Sequence, residues 1–447
     1  MAKIVHIPAI IVGGGIAGLY LSTHLPCPCL LVEASASLGG RIRTSYDDDG
    51  VPTMEQGPWR VHQSHSRLLS LIAMAGLHVD PTSSSLSGGY STFDTIVLEK
   101  GVQAAREADI QSGYVGLSNA TAAANVYHAQ RHQGGTYFTV REGLSKVVDF
   151  LERISPANIW TNTKVTNVQR KGNRYFIHAK RRVENDQFES IVFCSRSVFL
   201  CVPPHVTEQW DVVHQYLQPQ IHAVQTHPLH HIYVSGRLEN THRKIPSVLS
   251  QIVSGDYQQT HFQASYSAGR VAKFWQRLKL NDPEHFRSFL LQALRREGVA
   301  VKKNAEVHSF YWENAVHYWI PLYGSPPVQK LVEQAVEPHP THLPNLYWCG
   351  EAFSGYQGWI EGALQTADMV LERVMQPSPP LQIYPKEHVI VDGRVIDVGT
   401  WKHVHPGSKN AIVKRLGTDI SDIFRHINHS KVSWATLYAL QVGFSER

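Results

Sequence analysis

Two groups of residues in this 447-residue chain have types and spacings suited to redox chemistry. Near the start, the apolar run Ile10-Ile11-Val12 meets Gly13-Gly14-Gly15-Ile16-Ala17-Gly18, and Glu33 closes the next apolar run 20 positions after Gly13. In such a pattern the first glycine permits a sharp turn, the second lets backbone approach a pyrophosphate, and the third lets helix pack on strand. The helix start offers free N–H groups and a positive dipole end, and Glu33 can accept ribose hydroxyls. Near the other end, His405-Pro406-Gly407 is followed by His429-Ser430, the two histidines 24 positions apart, with Asp397, Asp419 and Phe424 at spacings that suit a haem pocket. A dinucleotide cofactor and a haem on one polypeptide imply an electron path between them.

The glycine turn needs a strand and a helix to hold it. Ala9 to Val12, Gly15 to Leu25 and Leu30 to Glu33 read as strand, helix and strand, a βαβ opening. Residues 67–139 read as mixed and partly helical, and residues 206–340 as strands alternating with helices such as Pro283 to Glu297. Gln376-Pro377-Ser378-Pro379-Pro380 and Pro385 read as a stiff extended spacer. The expected organisation is a large unit over 1–376, a Pro-rich linker over 377–385 and a compact unit over 386–447. In the large unit, segments of about 1–66, 140–205 and 340–376 would bind the dinucleotide, and about 67–139 and 206–339 would form a substrate domain. The fold class is α/β for the Rossmann-like unit with its interleaved substrate domain, and α+β for the small one.

Composition narrows the function classes. With 43% hydrophobic and 18% charged residues the chain can bury two or three cores. A formal charge of +5 without a run of five basic residues gives nucleic acid or an anionic membrane little to hold. No stretch approaches 18 uninterrupted apolar residues, and the first apolar run is already the glycine-turn strand, so neither a membrane span nor a signal peptide is expected and the cytoplasm is the default address. Five cysteines, with Cys27 and Cys29 too close for an ordinary bridge, argue against a disulfide framework. No Cys-x-x-Cys-His occurs, so a haem here would be held without thioether bonds. The 26 histidines include the groups His62/His65, His227/His230/His231 and His339/His342, but none has a carboxylate or thiolate at diagnostic spacing, which weighs against a non-haem metal.

Beyond Glu33, Ser37-Leu38-Gly39-Gly40-Arg41-Ile42-Arg43-Thr44 resembles the second glycine motif of the flavin amine oxidase superfamily, which includes L-amino-acid oxidases, polyamine oxidases and certain desaturases. That resemblance implies FAD, with Arg41 near its diphosphate and Val165, within Thr163 to Val168, meeting the adenine through backbone. Val198 to Pro204 resembles the family's apolar strand ending in paired prolines, and Cys349 to Ala363 its C-terminal fingerprint. In the fingerprint, Gly350 and Glu351 would meet the diphosphate and ribityl region, and Trp359-Ile360 would start a helix facing the flavin pyrimidine. No cysteine near Trp359 suits a covalent link, since Cys349 precedes Gly350, so the resemblance implies noncovalent FAD. Glu55-Gln56-Gly57-Pro58-Trp59-Arg60 resembles the L-amino-acid oxidase segment whose arginine grips the substrate carboxylate, the role this gives Arg60. Where the family usually has a lysine beside flavin N5, His227 to Val234 has none, and either His230 or His231 takes the place as proton shuttle or water holder. The missing lysine puts efficient oxygen use in doubt.

Val391 to Trp401, His405-Pro406-Gly407-Ser408, Gly417-Thr418-Asp419, Phe424 to Ser430 and Gly443 resemble cytochrome b5. The resemblance implies haem b with His405 and His429 as axial ligands, and Trp401, Leu416, Phe424 and Leu437 as walls. Ser408 replaces the family's second glycine, and the segment before Val389 is short. Together the matches imply FAD-dependent oxidation of an amine, an L-amino acid through Arg60, with electrons passed to the haem and an external acceptor or to oxygen. A polyamine oxidase without carboxylate recognition and a non-catalytic flavin/haem electron-transfer protein are the alternatives.

Overall fold

The computed structural model describes residues 3–82, 135–183, 186–238, 242–245, 247–254, 257, 260–319, 328–375 and 385–445. The expected spacer therefore lies outside the described residues except for Pro385, as does most of 67–139.

The strand leading to the glycine turn is longer than its apolar run, Lys3–Val12, and is central to the main sheet. Parallel pairing sets Asn158–Trp160, Cys29–Val32, Lys3–Val12, Phe188–Leu200 and Leu346–Trp348 side by side. Ala9 to Val12 and Leu30 to Val32 are buried, as expected of parallel strands covered on both faces. On its edge away from Lys3–Val12, Phe188 to Ser195 of Phe188–Leu200 pairs antiparallel with Arg174–Arg182, which pairs with Thr163–Lys171. Helix Ile16–His24 makes the first crossover, and helix Ile360–Met375 packs against it through Ala363, Leu364 and Ala367.

A second, antiparallel sheet runs in the order His242–Lys244, Gln251–Val253, His261–Ala268, Val224–Ser235, Val307–Trp319. Helices Gly269–Asn281 and Pro283–Arg296 cover one face, where Trp275, Phe286 and Leu290 pack with Ile232, Val234 and Phe262. The other face meets the main sheet's loops: the Tyr233 hydroxyl donates to the Glu55 carbonyl at 2.8 Å, and the Trp312 indole to that of Gln56 at 2.7 Å. This sheet therefore holds the segment that carries Gly57 to Arg60.

From Pro385 onward, strands His388–Val391, Arg394–Asp397 and Gln441–Phe444 form a small sheet, with short helices Lys409–Val413 and Ser421–His426 and the longer Lys431–Leu440. Among the described residues its own core cluster holds six buried apolar residues, so little apolar burial is available to it alone. Docking supplies more: Tyr438 is part of the main-sheet core and its hydroxyl donates to the Leu331 carbonyl at 2.5 Å. Arg394, fully buried, donates to the carbonyls of Tyr216 at 2.8 Å and Pro338 at 3.1 Å and to Gln441 Oε1 at 2.7 Å. All five cysteines are free thiols. Among the described residues no helix is long and apolar enough to cross a membrane.

Candidate functional site

The glycine turn is built as its spacing requires. Gly13 has φ +108°, and a side chain on it would strike the Cys201 carbonyl oxygen at 2.6 Å. Gly18 lies against Gly13 itself. Gly39 donates to the Gly14 carbonyl at 2.8 Å, and Gly40 packs over Gly15, so the second glycine motif is stacked on the first. Glu33 accepts the Gly14 N–H at 2.7 Å, while its other oxygen takes the N–H and hydroxyl of Ser35. Thr163 donates to the Glu33 carbonyl at 2.7 Å, which brings Val165 close to this turn.

Helix Ile16–His24 starts at Gly15 with no side-chain cap and no acidic residue in its first turn. Atoms added to Gly15 or to Gly350 would meet only open space, which leaves room for a diphosphate before an uncapped, positive helix end. Arg41 borders this region and donates to Glu351 at 3.0 Å and to the Ala315 carbonyl. Glu351 is buried; burial alone would raise its pKa, but Arg41 and His317, with the Gly358 N–H, hold its carboxyl down at about 2. His317 donates to it from the backbone at 3.0 Å and pairs through Nδ1 at 2.9 Å. The expected cofactor contact of Glu351 is thus accompanied by a structural one, the fixing of Arg41. These features fit FAD.

Arg60, Trp359 and Tyr137 form one aromatic-cationic cluster. The Arg60 guanidinium lies 4.3 Å from the Trp59 ring and 4.9 Å from Tyr137, and Tyr137 stacks on Trp359 at 6.0 Å. His65 packs edge-on to Trp359 at 4.9 Å. Arg60 forms no ion pair among the described residues, and its charge opposes the rise that burial imposes on the Tyr266 phenol. Gly57 and Pro58 complete this loop; Gly57 lies so near Arg41 that an added Cβ would sit 1.9 Å from the Arg41 carbonyl oxygen. Ile360 is the first residue of helix Ile360–Met375, immediately after Trp359.

Side-chain alternation separates the two candidate histidines. His230 points to the helix layer, its ring nitrogens at 3.4 Å from the Ala272 carbonyl and 2.6 Å from the Ser309 hydroxyl. His231 faces the opposite way, meeting Gln263 at 3.0 Å and packing on Tyr266 at 4.9 Å, beside the Arg60 cluster. Burial lowers both, His230 to about 4 and His231 to about 3, so both imidazoles are neutral at pH 7. Tyr137, Tyr266 and His317 carry no sequence signal of their own; only long-range pairing brings them here.

In the C-terminal unit His405 and His429 are half-buried and similarly prepared. Nδ1 of His405 lies 3.2 Å from the Ser408 carbonyl and Nδ1 of His429 lies 2.8 Å from the Phe424 carbonyl. A carbonyl only accepts, so each proton sits on Nδ1 and each Nε2 keeps its lone pair for a metal. The Phe424 ring lies flat against His429 at 4.0 Å, and Trp401, Leu416, Phe424 and Leu437 share one cluster. Val404, Ile423, Ile427 and Val432 are 42–60% exposed, apolar surface that a porphyrin would cover. These residues fit haem b.

A dinucleotide turn at the carboxyl ends of a parallel sheet, joined to a second sheet facing an arginine-aromatic cluster, defines an FAD-dependent oxidoreductase. Residues 16–122 and 110–375 match the model of flavin-containing amine oxidoreductases, and the chain belongs to that family. Residues 386–444 match the cytochrome b5-like heme/steroid binding domain, which implies haem binding. A crystal structure of a protein from Exiguobacterium sp. 255-15, described as a protoporphyrinogen oxidase by assignment only, superposes with a TM-score of 0.58 at 14% identity, covering 85% of this chain and 100% of that one. A putrescine oxidase with a redesigned cofactor site gives 0.59 at 15% identity, covering 84% and 100%. No match was found among curated proteins.

Proposed function

We propose that the chain oxidises an L-α-amino acid, held by Arg60, to an imine that hydrolyses to an oxo acid and ammonia. FAD supplies the hydride acceptor and haem b a one-electron carrier toward an external acceptor, with oxygen as a competing exit. The observation that carries the substrate reading is Arg60: a guanidinium clasped by Trp59 and Tyr137, without an acidic partner among the described residues, beside Trp359. A substrate carboxylate would complete that site with a two-point ion pair and align the α-carbon. His231, neutral and on the facing strand, suits holding a water better than taking up a proton.

Two units, 1–376 and 386–447, would then exchange electrons across a docked interface. Trp319, bonded to Ser354 and Gln357 of the fingerprint loop, stacks on Tyr438 at 6.3 Å. One helical turn earlier, Trp434 packs at 4.8 Å on Phe424, which lies against His429. This run of rings supports a route from the amine-oxidising site to the haem ligand.

Anaerobic mixing with a panel of amino acids and amines tests the reading. Amino acids should bleach the flavin, with haem reduction lagging behind, and spermidine should not. Bleaching by spermidine alone would replace it with a polyamine oxidase, and no bleaching by any amine would leave an electron-transfer protein.

A further inference from the structure

Where His261 borders a cavity that Trp59 also lines, three side chains with metal-binding atoms converge. His261 opens the strand His261–Ala268, and Glu306 and His308 stand at the start of Val307–Trp319. These two strands flank Val224–Ser235 on opposite sides, His261 opposite Ser235 and His308 opposite Tyr233. One ligand atom from each of His261, Glu306 and His308 lies within 4.8 Å of the other two. The imidazole rings are 5.2 Å apart, and His308 Nε2 is 3.7 Å from a Glu306 oxygen.

His261 is prepared for more than packing. Its Nδ1 lies 3.1 Å from the Thr260 hydroxyl, while its Nε2 is buried and has no hydrogen-bond partner. A buried nitrogen left without a partner costs free energy, and a cation is one group that offsets it. The same ring borders a small cavity with Gln263, Tyr233, Tyr257 and Glu55.

We propose that His261, Glu306 and His308 form a binding site for a zinc-class divalent cation, with water in the fourth position. Two imidazoles and one carboxylate suit zinc, at metal–ligand distances of about 2.0–2.2 Å. The Glu306 side chain is 75% exposed and that of His308 39%, which leaves both room to turn toward an ion. The ion would clamp the two strands that flank the strand carrying His231.

The test uses tag-free protein loaded with FAD and haem, so that His405 and His429 are occupied. Calorimetric titration with ZnCl2 in a non-chelating buffer should show one site of micromolar or tighter affinity. His261→Ala and His308→Ala should each weaken it at least 100-fold, and Glu306→Gln about 10-fold, at unchanged flavin and haem content. Equal zinc uptake by wild type and the His261→Ala/His308→Ala double variant would overturn the proposal. X-ray absorption of the zinc-loaded wild type keeps the test independent of variant folding: two imidazole ligands support the site, one or none refutes it.

Discussion

Arg60, Glu351 and Ser408 are single residues whose surroundings dictate measurable behaviour. If Arg60 anchors a carboxylate, Arg60→Ala should lower kcat/KM for amino acids by roughly a hundredfold, about 3 kcal/mol, at unchanged FAD content. Glu351 titrates at about 2 in the folded chain against an ordinary 4.5. Its folded pKa is depressed, so its contribution to stability is present above about pH 4.5 and is lost as pH falls toward 2. The difference corresponds to about 3 kcal/mol for this buried carboxyl. Unfolding free energies of Glu351→Gln should accordingly fall less steeply than wild type between pH 5 and 2. Ser408 has φ +80° and ψ 151°, a conformation that glycine adopts without strain. Ser408→Gly should stabilise the C-terminal unit by about 1 kcal/mol in denaturant titration and tighten haem retention.

At the scale of elements, the loop Gly57 to Arg60 is gripped from two sides. Arg41 approaches Gly57 through backbone, and Tyr233 and Trp312 of the second sheet hold the carbonyls of Glu55 and Gln56. Gly57→Ala has no room beside the Arg41 carbonyl, so it should yield protein depleted in FAD, read as a lowered ratio of 450 to 280 nm absorbance. The glycine motif and the strands around it were legible in the sequence, because continuous apolar runs and glycine spacing are local signals. The choice between His230 and His231 was not. It depends on bulges in Val224–Ser235, between His227 and Leu229 on one edge and Ile232 and Tyr233 on the other, and the residues His227 to His231 show no alternation that reveals them.

For the whole molecule, the decisive feature is that the haem-type unit is docked through Arg394. Burial pushes that guanidinium down to about 10, and its two Nη groups donate to the Tyr216 and Pro338 carbonyls and to Gln220 and Gln441, while its buried Nε–H has no partner among the described residues. Arg394→Met leaves these acceptors buried without a donor, at a cost of about 3 kcal/mol. Calorimetry should then resolve two unfolding transitions where wild type shows one. Trp319→Leu, which removes the ring stacked on Tyr438, should slow haem reduction more than flavin bleaching.

The sequence by itself determined which cofactors this chain can hold, because the glycine turn, Glu33 and the histidine pair His405/His429 are each contained in a short stretch whose spacing sets the chemistry. The tertiary structure alone decided that His231 and not His230 packs on Tyr266, which feels the charge of Arg60, that Glu351 fixes Arg41, that Arg394 locks the two units together, and that His261 meets His308. Each of those outcomes joins residues far apart in the chain through strand register and docking, and no local pattern of residue types encodes a register.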